Sequence, residues 1–260
     1  MNEEERRDPI KFKITEYLNM LTVDNYKQTS ENIYEIIEDS IYNQEKFVDV
    51  LFNTIINEKA NYKLYAKLCK DLDKRLPQKI PKKDEKNLKK RPSSMIRVKL
   101  LDKCRKYFKI ENNENFDEYI KEKDPEEKEI KLKKYILGNV NFICELINIQ
   151  ILSKKVVSSY LNNLLTRLND VNANKSLYLE AIVILLDNFG TLLKSKENKL
   201  NEEDKSKYKE LVNEYLKKLE DVIEKDQDIV QYVKNINKKF KSLMKIYNKM
   251  NNLNKNRKKK

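Results

Sequence analysis

Apolar residues recur along most of the chain at intervals of three and four residues, the spacing that places side chains on one face of an α-helix. Clear examples are Val48, Leu51, Ile55; Leu68, Leu72, Leu76; Ile96, Leu100, Cys104; Ile136, Val140, Ile143, Ile147; and Leu211, Tyr215, Leu219. Short polar links such as residues 57–61 separate these series. Because a short link returns the chain beside the helix it has just left, the pattern predicts antiparallel helix hairpins.

The pattern predicts nine or ten helices, which make about five hairpins. Paired helices that repeat at roughly 40–50 residues are typical of an α-solenoid of the HEAT kind. No strict sequence repeat is present, so the apolar spacing alone also fits an irregular helical bundle. The chain has only two glycines and five prolines, which leaves little turn chemistry for β-hairpins. We expect an all-α fold, an α-solenoid of about five antiparallel HEAT-type helix hairpins.

We expect a single HEAT-type domain over residues 1–252 and a basic disordered tail over residues 253–260. Inside the domain, residues 77–92 hold three prolines and a lysine run and are predicted as a basic loop. Residues 111–128 are polar and acidic and are predicted as a second loop, with Pro125 available to begin a helix. After the first loop, Ser93 or Ser94 can cap the next helix.

The formal net charge of the chain is +13, and most of it lies in two short segments. Residues 79–91 carry seven basic and two acidic side chains, and residues 254–260 carry five basic ones. Such clusters favour nucleic acid or another acidic partner. A basic tail that serves only as a solubilising, disordered end is the alternative interpretation.

No catalytic or metal-binding constellation is evident, and we expect a protein that is not an enzyme. Histidine is absent, which removes the most common general base and metal ligand. Cys69, Cys104 and Cys144 are widely spaced and lie on apolar series, so we expect buried, reduced thiols in place of a zinc site or disulfides. Two glycines cannot build a phosphate-binding loop. We expect no cofactor, no metal and no membrane association, since no apolar run is long enough to cross a bilayer.

Several ordered motifs resemble the middle domain of translation initiation factor 4 gamma. "YLNMLTVDNYKQ" (17–28) resembles its "LNKLT...F" opening, and residues 47–72 resemble its second hairpin. "VKLLDKCRKYF" (98–108) is similar to the family's "LLNRCQxxF" helix. "ILGNVNFICELINIQILS" (136–153) is similar to "LGNIKFIGELFKLKML", and "LLDNFG" (185–190) to "LLxxxG". Both glycines of the chain therefore fall on family glycines.

The resemblance implies a crescent of five HEAT-type helix pairs. It also implies a non-catalytic scaffold of translation initiation that binds and stimulates a DEAD-box RNA helicase of the initiation-factor 4A type and contacts RNA. We expect a monomer in the cytoplasm. Related middle domains act as adaptors in nonsense-mediated decay, splicing or poly(A)-dependent regulation and bind other proteins, which is the alternative. The family's arginine-bearing "SRIRFMLQD" stretch has no counterpart in residues 226–249.

The resemblance places candidate partner contacts in two motifs. Leu18, Leu21 and Tyr26 occupy the "LNxLTxxxF" positions and are expected to contact one helicase lobe; plain packing of the first hairpin is the alternative. Weaker candidates for the other lobe lie on the side of the 137–146 helix that we expect to be less apolar: Asn139, Asn141 and Glu145.

The basic segments supply the candidate RNA contacts, through phosphates and without sequence preference. These residues are Lys82, Lys83, Lys89, Lys90, Arg91, Lys255, Arg257, Lys258, Lys259 and Lys260.

Gly138 lies in the middle of an apolar helical pattern, where glycine is unfavourable by up to ~1 kcal/mol relative to alanine. We interpret it as a position of close approach by a neighbouring helix, with Asn139 and Asn141 facing away from the core.

Overall fold

The structure is a computed structural model, and it describes residues 8–57, 61–77, 94–108, 124–152, 154–170, 174–194 and 202–225, together with Lys245. Over these residues the chain forms nine helices and no strand. We number them α1 Pro9–Met20, α2 Tyr26–Ile37, α3 Ile41–Asn57, α4 Tyr62–Arg75, α5 Met95–Phe108, α6 Pro125–Asn148, α7 Lys154–Leu168, α8 Lys175–Lys194 and α9 Glu202–Lys225. The predicted all-α class is therefore confirmed for the described part of the chain.

Local sequence fixes where many of these helices begin. Side chains that precede a helix accept a backbone N–H from its first turn, which satisfies a donor that has no partner within the helix. The capping residues are Asp8, Asn61, Ser94, Asp124 and Asn174, and they accept from the N–H groups of Lys11, Leu64, Arg97, Glu126 and Leu177 at 2.8–3.3 Å. Pro9 and Pro125 stand at the first helical position, where the missing N–H costs nothing.

The predicted acidic loop over residues 111–128 is too long at its carboxyl end. Helix α6 already begins at Pro125, because Asp124 caps it and Glu126 and Glu127 suit the positive end of the helix dipole. The expectation that Pro125 begins a helix is confirmed. The rest of that loop, the basic loop from residue 78 onward and the basic tail lie outside the described residues.

The chain divides into two compact units, Met1–Leu152 and Ser153–Lys260. In the first unit each odd-numbered helix packs on the next odd-numbered one, α1 on α3 and α3 on α5. The even-numbered helices do the same, α2 on α4 and α4 on α6. This alternation is the two-layer packing of consecutive helix hairpins, in which each repeat contacts its neighbours.

Stacked helices in one layer run parallel, as paired side chains show. Lys99 on α5 pairs with Glu45 on α3, and one turn later Lys103 pairs with Asp49, with a separation of 54 residues in both cases. In the other layer, Arg75 on α4 pairs with Glu31 on α2, 44 residues earlier. The constant separation of 54 residues shows that the two ion pairs between α3 and α5 connect these helices in one parallel register.

The core of the first unit lies around α3, which contacts α1, α2, α5 and α6. Leu51 and Ile55 are fully buried, and Phe52 meets Phe142 of α6 edge to face, with ring centroids 5.6 Å apart. Aromatic side chains of this size bury a large apolar area, and the perpendicular arrangement is the favoured one for a ring pair. The apolar series of the sequence therefore form this core as predicted.

The second unit contains the helices α7, α8 and α9, and each packs on the other two. Tyr160, Leu164 and Leu168 are buried on α7 at intervals of four residues. Tyr215 on α9 is 1 % exposed, and its hydroxyl donates to the carbonyl oxygen of Ser158 at 2.8 Å. Burial raises the pKa of Tyr215 to about 12, so the hydroxyl remains a donor at neutral pH.

The end of α6 adopts a Schellman motif without the usual glycine. Gln150 has φ 64°, its N–H bonds to the carbonyl of Ile147, and the N–H of Ile151 bonds to that of Leu146. A residue with a Cβ in this left-handed conformation costs roughly 1–2 kcal/mol relative to glycine. The motif is retained here because Ile151 and Leu146 are both buried beneath it.

We expect Gln150→Gly to raise the free energy of unfolding by about 0.5–1 kcal/mol, since glycine adopts positive φ without strain but has a more flexible unfolded state. Chemical denaturation would measure the gain. Gln150→Ala is the control, because it keeps the Cβ and should change stability by less than about 0.5 kcal/mol. Equal stability of all three proteins would contradict the assignment of strain at this position.

Candidate functional site

The turn between α1 and α2 presents two apolar side chains to solvent, and we name residues 20–25 the α1–α2 corner. Met20 is 56 % exposed and Val23 is 76 % exposed, the largest exposed fractions among the described apolar side chains apart from Tyr42 at 62 %. Isolated apolar residues are common on protein surfaces. Here, however, both lie within one short turn that connects two helices.

Side-chain hydrogen bonds fix the backbone of this corner. The N–H of Thr22 donates to Oδ1 of Asn25 at 2.8 Å, and the N–H of Asn25 donates back to Oγ1 of Thr22 at 3.3 Å. Nδ2 of Asn25 donates to the carbonyl oxygen of Met20 at 2.7 Å. Reciprocal bonds of this kind satisfy free N–H groups before a helix and restrict the turn to one conformation. Met20 and Val23 are therefore held on a defined backbone.

Two buried leucines anchor the corner to the core: Leu18, which precedes it, and Leu21, which lies within it. Leu18 is fully buried and Leu21 is 7 % exposed. The hydroxyl of Tyr65 on α4 donates to the carbonyl oxygen of Leu18 at 3.2 Å. These contacts connect the corner to the helix hairpin that follows, so the corner has a rigid support.

Tyr26 begins α2 at the edge of the corner and is half-buried. Its hydroxyl donates to Oδ2 of Asp71 on α4 at 2.8 Å, and Nζ of Lys67 lies 3.9 Å from its ring centroid. Burial and the adjacent carboxylate raise the pKa of this hydroxyl well above the usual tyrosine value, because both disfavour the phenolate. Tyr26 is therefore a neutral donor that connects α2 to α4.

Gly138 lies where α6 crosses α3. A Cβ at this position would lie 2.9 Å from the carbonyl oxygen of Ile55 and 3.5 Å from the Cα of Ile56. The obstacle is backbone, which cannot move aside as a flexible side chain can. The interpretation that Gly138 permits close approach of a neighbouring helix is confirmed.

The cysteine and acidic side chains in the part of the chain that the structure describes form no metal-binding group, and the cysteines lie in the core. No three cysteine, aspartate or glutamate side chains come together as a metal-binding group there. Cys69, Cys104 and Cys144 are free and buried, as expected, and burial raises the pKa of the Cys69 thiol far above its ordinary value. Among the described helices, none combines the length and apolarity needed to span a membrane.

Comparison with protein families gives a match to the MIF4G domain over residues 11–260, which is nearly the whole chain. The chain belongs to the MIF4G domain family. The match crosses the boundary between the two compact units, and the single domain predicted over residues 1–252 stays a prediction. The predicted relationship to the middle domain of initiation factor 4 gamma is confirmed.

Comparison with solved structures gives a similar fold in the crystal structure of the MIF4G domain of Trypanosoma cruzi translation initiation factor EIF4G5. The TM-score is 0.50 at 18 % sequence identity, over 91 % of this chain and 99 % of that chain. At an identity this low the match shows the fold alone. The structural match confirms the helical solenoid that the sequence predicted. No curated protein sequence matched the chain.

In this MIF4G domain the residues predicted to contact a partner occupy very different environments. Leu18 and Leu21 face the core, so the packing alternative describes their side chains and the exposed positions of the motif are Met20 and Val23. Tyr26 keeps a half-exposed ring beside them. The motif covers this turn, but the side chains that reach solvent are not the ones the family pattern selects.

The expectation that Asn139 faces away from the core is wrong. Asn139 is 2 % exposed, and neither Oδ1 nor Nδ2 has a hydrogen-bond partner. The reason is that α6 packs on both α3 and α4, so most of its circumference is buried near this point. Asn141 is half-buried and donates to the carbonyl oxygen of Leu137, and Glu145 is half-buried with Asn148 3.5 Å from its carboxylate.

The predicted RNA contacts of the MIF4G domain lie outside the described residues, both those of the basic loop and those of the tail.

Two surface features of the described helices were not predicted from the sequence. The first feature is the rigid α1–α2 corner, for which the spacing of Thr22 and Asn25 before a helix was a usable signal. The second feature is a row of lysines on α4 at intervals of four, three and four residues.

Proposed function

We propose that this MIF4G domain is a non-catalytic scaffold of translation initiation that binds and stimulates a DEAD-box RNA helicase of the initiation-factor 4A type and contacts RNA. The observation that carries the proposal is the α1–α2 corner, where Met20 and Val23 stand exposed on a turn fixed by Asn25. The corner coincides with the motif that the middle domains of initiation factor 4 gamma share. The similar trypanosome structure is itself named as part of a translation initiation factor.

The corner has the properties of a protein-binding anchor. Burial of a methionine or valine side chain against a partner stabilises a complex by roughly 1.5–3 kcal/mol for each residue. Because the hydrogen bonds of Thr22 and Asn25 already hold the turn, little conformational entropy is lost when a partner binds. Two such side chains on one rigid turn can form the apolar centre of an interface.

Stimulation without chemistry requires only differential affinity. A helicase of this class has two lobes whose relative orientation changes during ATP hydrolysis. A scaffold that binds one orientation about 100-fold more tightly changes the free-energy difference between the two orientations by about 2.7 kcal/mol in favour of that orientation. Such a scaffold needs no catalytic group of its own.

We expect Met20→Asp with Val23→Asp to weaken helicase binding about 30-fold or more, since a charge placed against an apolar pocket removes a contact of at least about 2 kcal/mol. The measurement is the stimulation of RNA-dependent ATP hydrolysis by an initiation-factor 4A-type helicase, titrated with the MIF4G domain. Ile130→Asp is the matched control, because Ile130 is a 55 % exposed apolar residue on α6. The control protein should stimulate as the original does.

Two results would overturn the proposal in different ways. If the unchanged domain neither stimulates the helicase nor co-elutes with it, the helicase function is wrong. Affinity purification that returns decay or splicing factors would then favour the adaptor alternative. If the domain stimulates the helicase and the double variant does so equally, the function stands and the corner is not the contact.

A further inference from the structure

Helix α4 carries four lysines in one row, which we name the α4 lysine row: Lys63, Lys67, Lys70 and Lys74. At 100° per residue these positions fall within about 60° of helix circumference. The buried residues Tyr65, Leu68 and Leu72 lie on the opposite side. Three of the lysines are exposed and Lys70 is half-buried, so the row faces solvent.

Carboxylates beside the row are already engaged by other groups. Asp71, on one flank, accepts the hydroxyl of Tyr26 at 2.8 Å. Asp73, on the other flank, accepts the hydroxyl of Ser94 at 2.6 Å and lies 3.4 Å from Arg97. The flanking carboxylates therefore bond outward to neighbouring helices and do not pair with the row.

Glu31 on the neighbouring helix α2 is engaged as well. Both of its carboxylate oxygens accept from Arg75, at 2.8 and 2.9 Å. The Arg75 guanidinium in turn holds the pKa of Glu31 below its usual value, so this carboxylate stays ionised and paired at neutral pH. None of these three carboxylates forms an ion pair with a lysine of the row.

Within the part of the chain that the structure describes, Lys63, Lys70 and Lys74 have no carboxylate within ion-pair distance. Lys67 is ordered over the Tyr26 ring at 3.9 Å, an interaction that leaves its charge unneutralised. Four like charges along one helix face repel one another and are destabilising. A row of this kind is more useful for binding an anion than for stabilising the fold.

We propose that the α4 lysine row binds the sugar–phosphate backbone of single-stranded RNA, without sequence preference. The row spans about 16 Å, a length over which one extended strand presents several phosphates. An acidic protein is the competing partner class. A protein interface usually contains an apolar centre, whereas none of the described exposed large apolar residues lies on α4.

The inference rests on the RNA contact in the proposed function and gives it a location on a described helix. RNA binding measured without helicase tests the row, while ATPase stimulation tests the scaffold role. Failure of one can therefore be told apart from failure of the other. Deletion of residues 254–260 separates the contribution of the tail from that of the row.

The experiment substitutes all four lysines with glutamine in the full chain and titrates labelled single-stranded oligouridine at several salt concentrations. Each lost phosphate contact reduces the slope of log affinity against log salt by about 0.7, so we expect the slope to fall by about 2–3. At low salt the affinity should fall at least about tenfold. Glutamine has a helix propensity close to that of lysine, so the variant should keep α4 intact, which circular dichroism would verify.

The control protein carries the same substitution at four exposed lysines that lie on other helices: Lys11, Lys13, Lys128 and Lys217. It has the same net charge as the test variant, and the proposal requires that it retain most of the slope. Equal losses in both proteins would mean that only net charge matters and would overturn the proposal. So would a row variant with unchanged RNA affinity, whether or not it loses affinity for polyglutamate used as a stand-in for an acidic protein.

Discussion

Replacement of Gly138 by alanine is expected to destabilise this MIF4G domain by about 1–2 kcal/mol, although the same change in an ordinary helix stabilises by up to ~1 kcal/mol. The new methyl group would lie 2.9 Å from the carbonyl oxygen of Ile55, so α3 and α6 would have to separate. Gly138→Leu should cost more than about 3 kcal/mol, because a long side chain has no space at a backbone–backbone crossing.

Denaturant unfolding measures both Gly138 effects, and their sign is the decisive quantity. Lys134→Ala on the exposed part of the same helix is the control and should stay within about 0.5 kcal/mol of the original protein. A stabilising Gly138→Ala would refute the close packing of α3 on α6. Helicase binding should survive in the folded fraction of either variant, because Gly138 contacts backbone and not solvent.

Leu18→Ala should lower the free energy of unfolding by about 2–5 kcal/mol. Leu18 is fully buried, so its truncation removes apolar contacts and leaves a cavity beside the corner. Met20→Ala is the matched change on the exposed side of the same turn, with an expected effect below about 0.5 kcal/mol. Thermal or chemical unfolding distinguishes the two.

The Leu18 prediction also decides between two interpretations of the "LNxLTxxxF" motif. If Leu18 anchors the corner, helicase affinity per folded molecule should change little at a temperature where the variant is folded. If Leu18→Ala left stability unchanged and abolished helicase binding, the leucine would be a partner contact and its buried position would be wrong.

The helices of this protein could be predicted from sequence because their signals are local. Apolar spacing predicted the buried faces of α3 to α6 and of α9, and Ser94 and Pro125 marked two helix starts from side-chain and ring chemistry alone. Gly138 was also interpretable, since glycine inside a buried helix has few causes other than close packing. These inferences depend on neighbours within about one helical turn.

The candidate site was harder to predict because it depends on which helices surround each side chain. Asn139 is polar, yet α3 and α4 cover its helix on two sides, so no spacing rule placed it correctly. At the α1–α2 corner, the turn after Met20 determines which side chains face outward, and the motif alone does not encode that turn. The α4 lysine row was visible as a pattern, but its unpaired state depends on Tyr26, Ser94 and Arg97 from other helices.

The parallel ion pairs between α3 and α5 have a consequence for how the chain can vary in length. The ion pairs of Lys99 with Glu45 and of Lys103 with Asp49 mark the register in which the two helices pack directly on each other. The register therefore does not depend on the number of residues between α4 and α5. Variants that lengthen the chain between α4 and α5 are therefore expected to keep α5 packed on α3 in the same register.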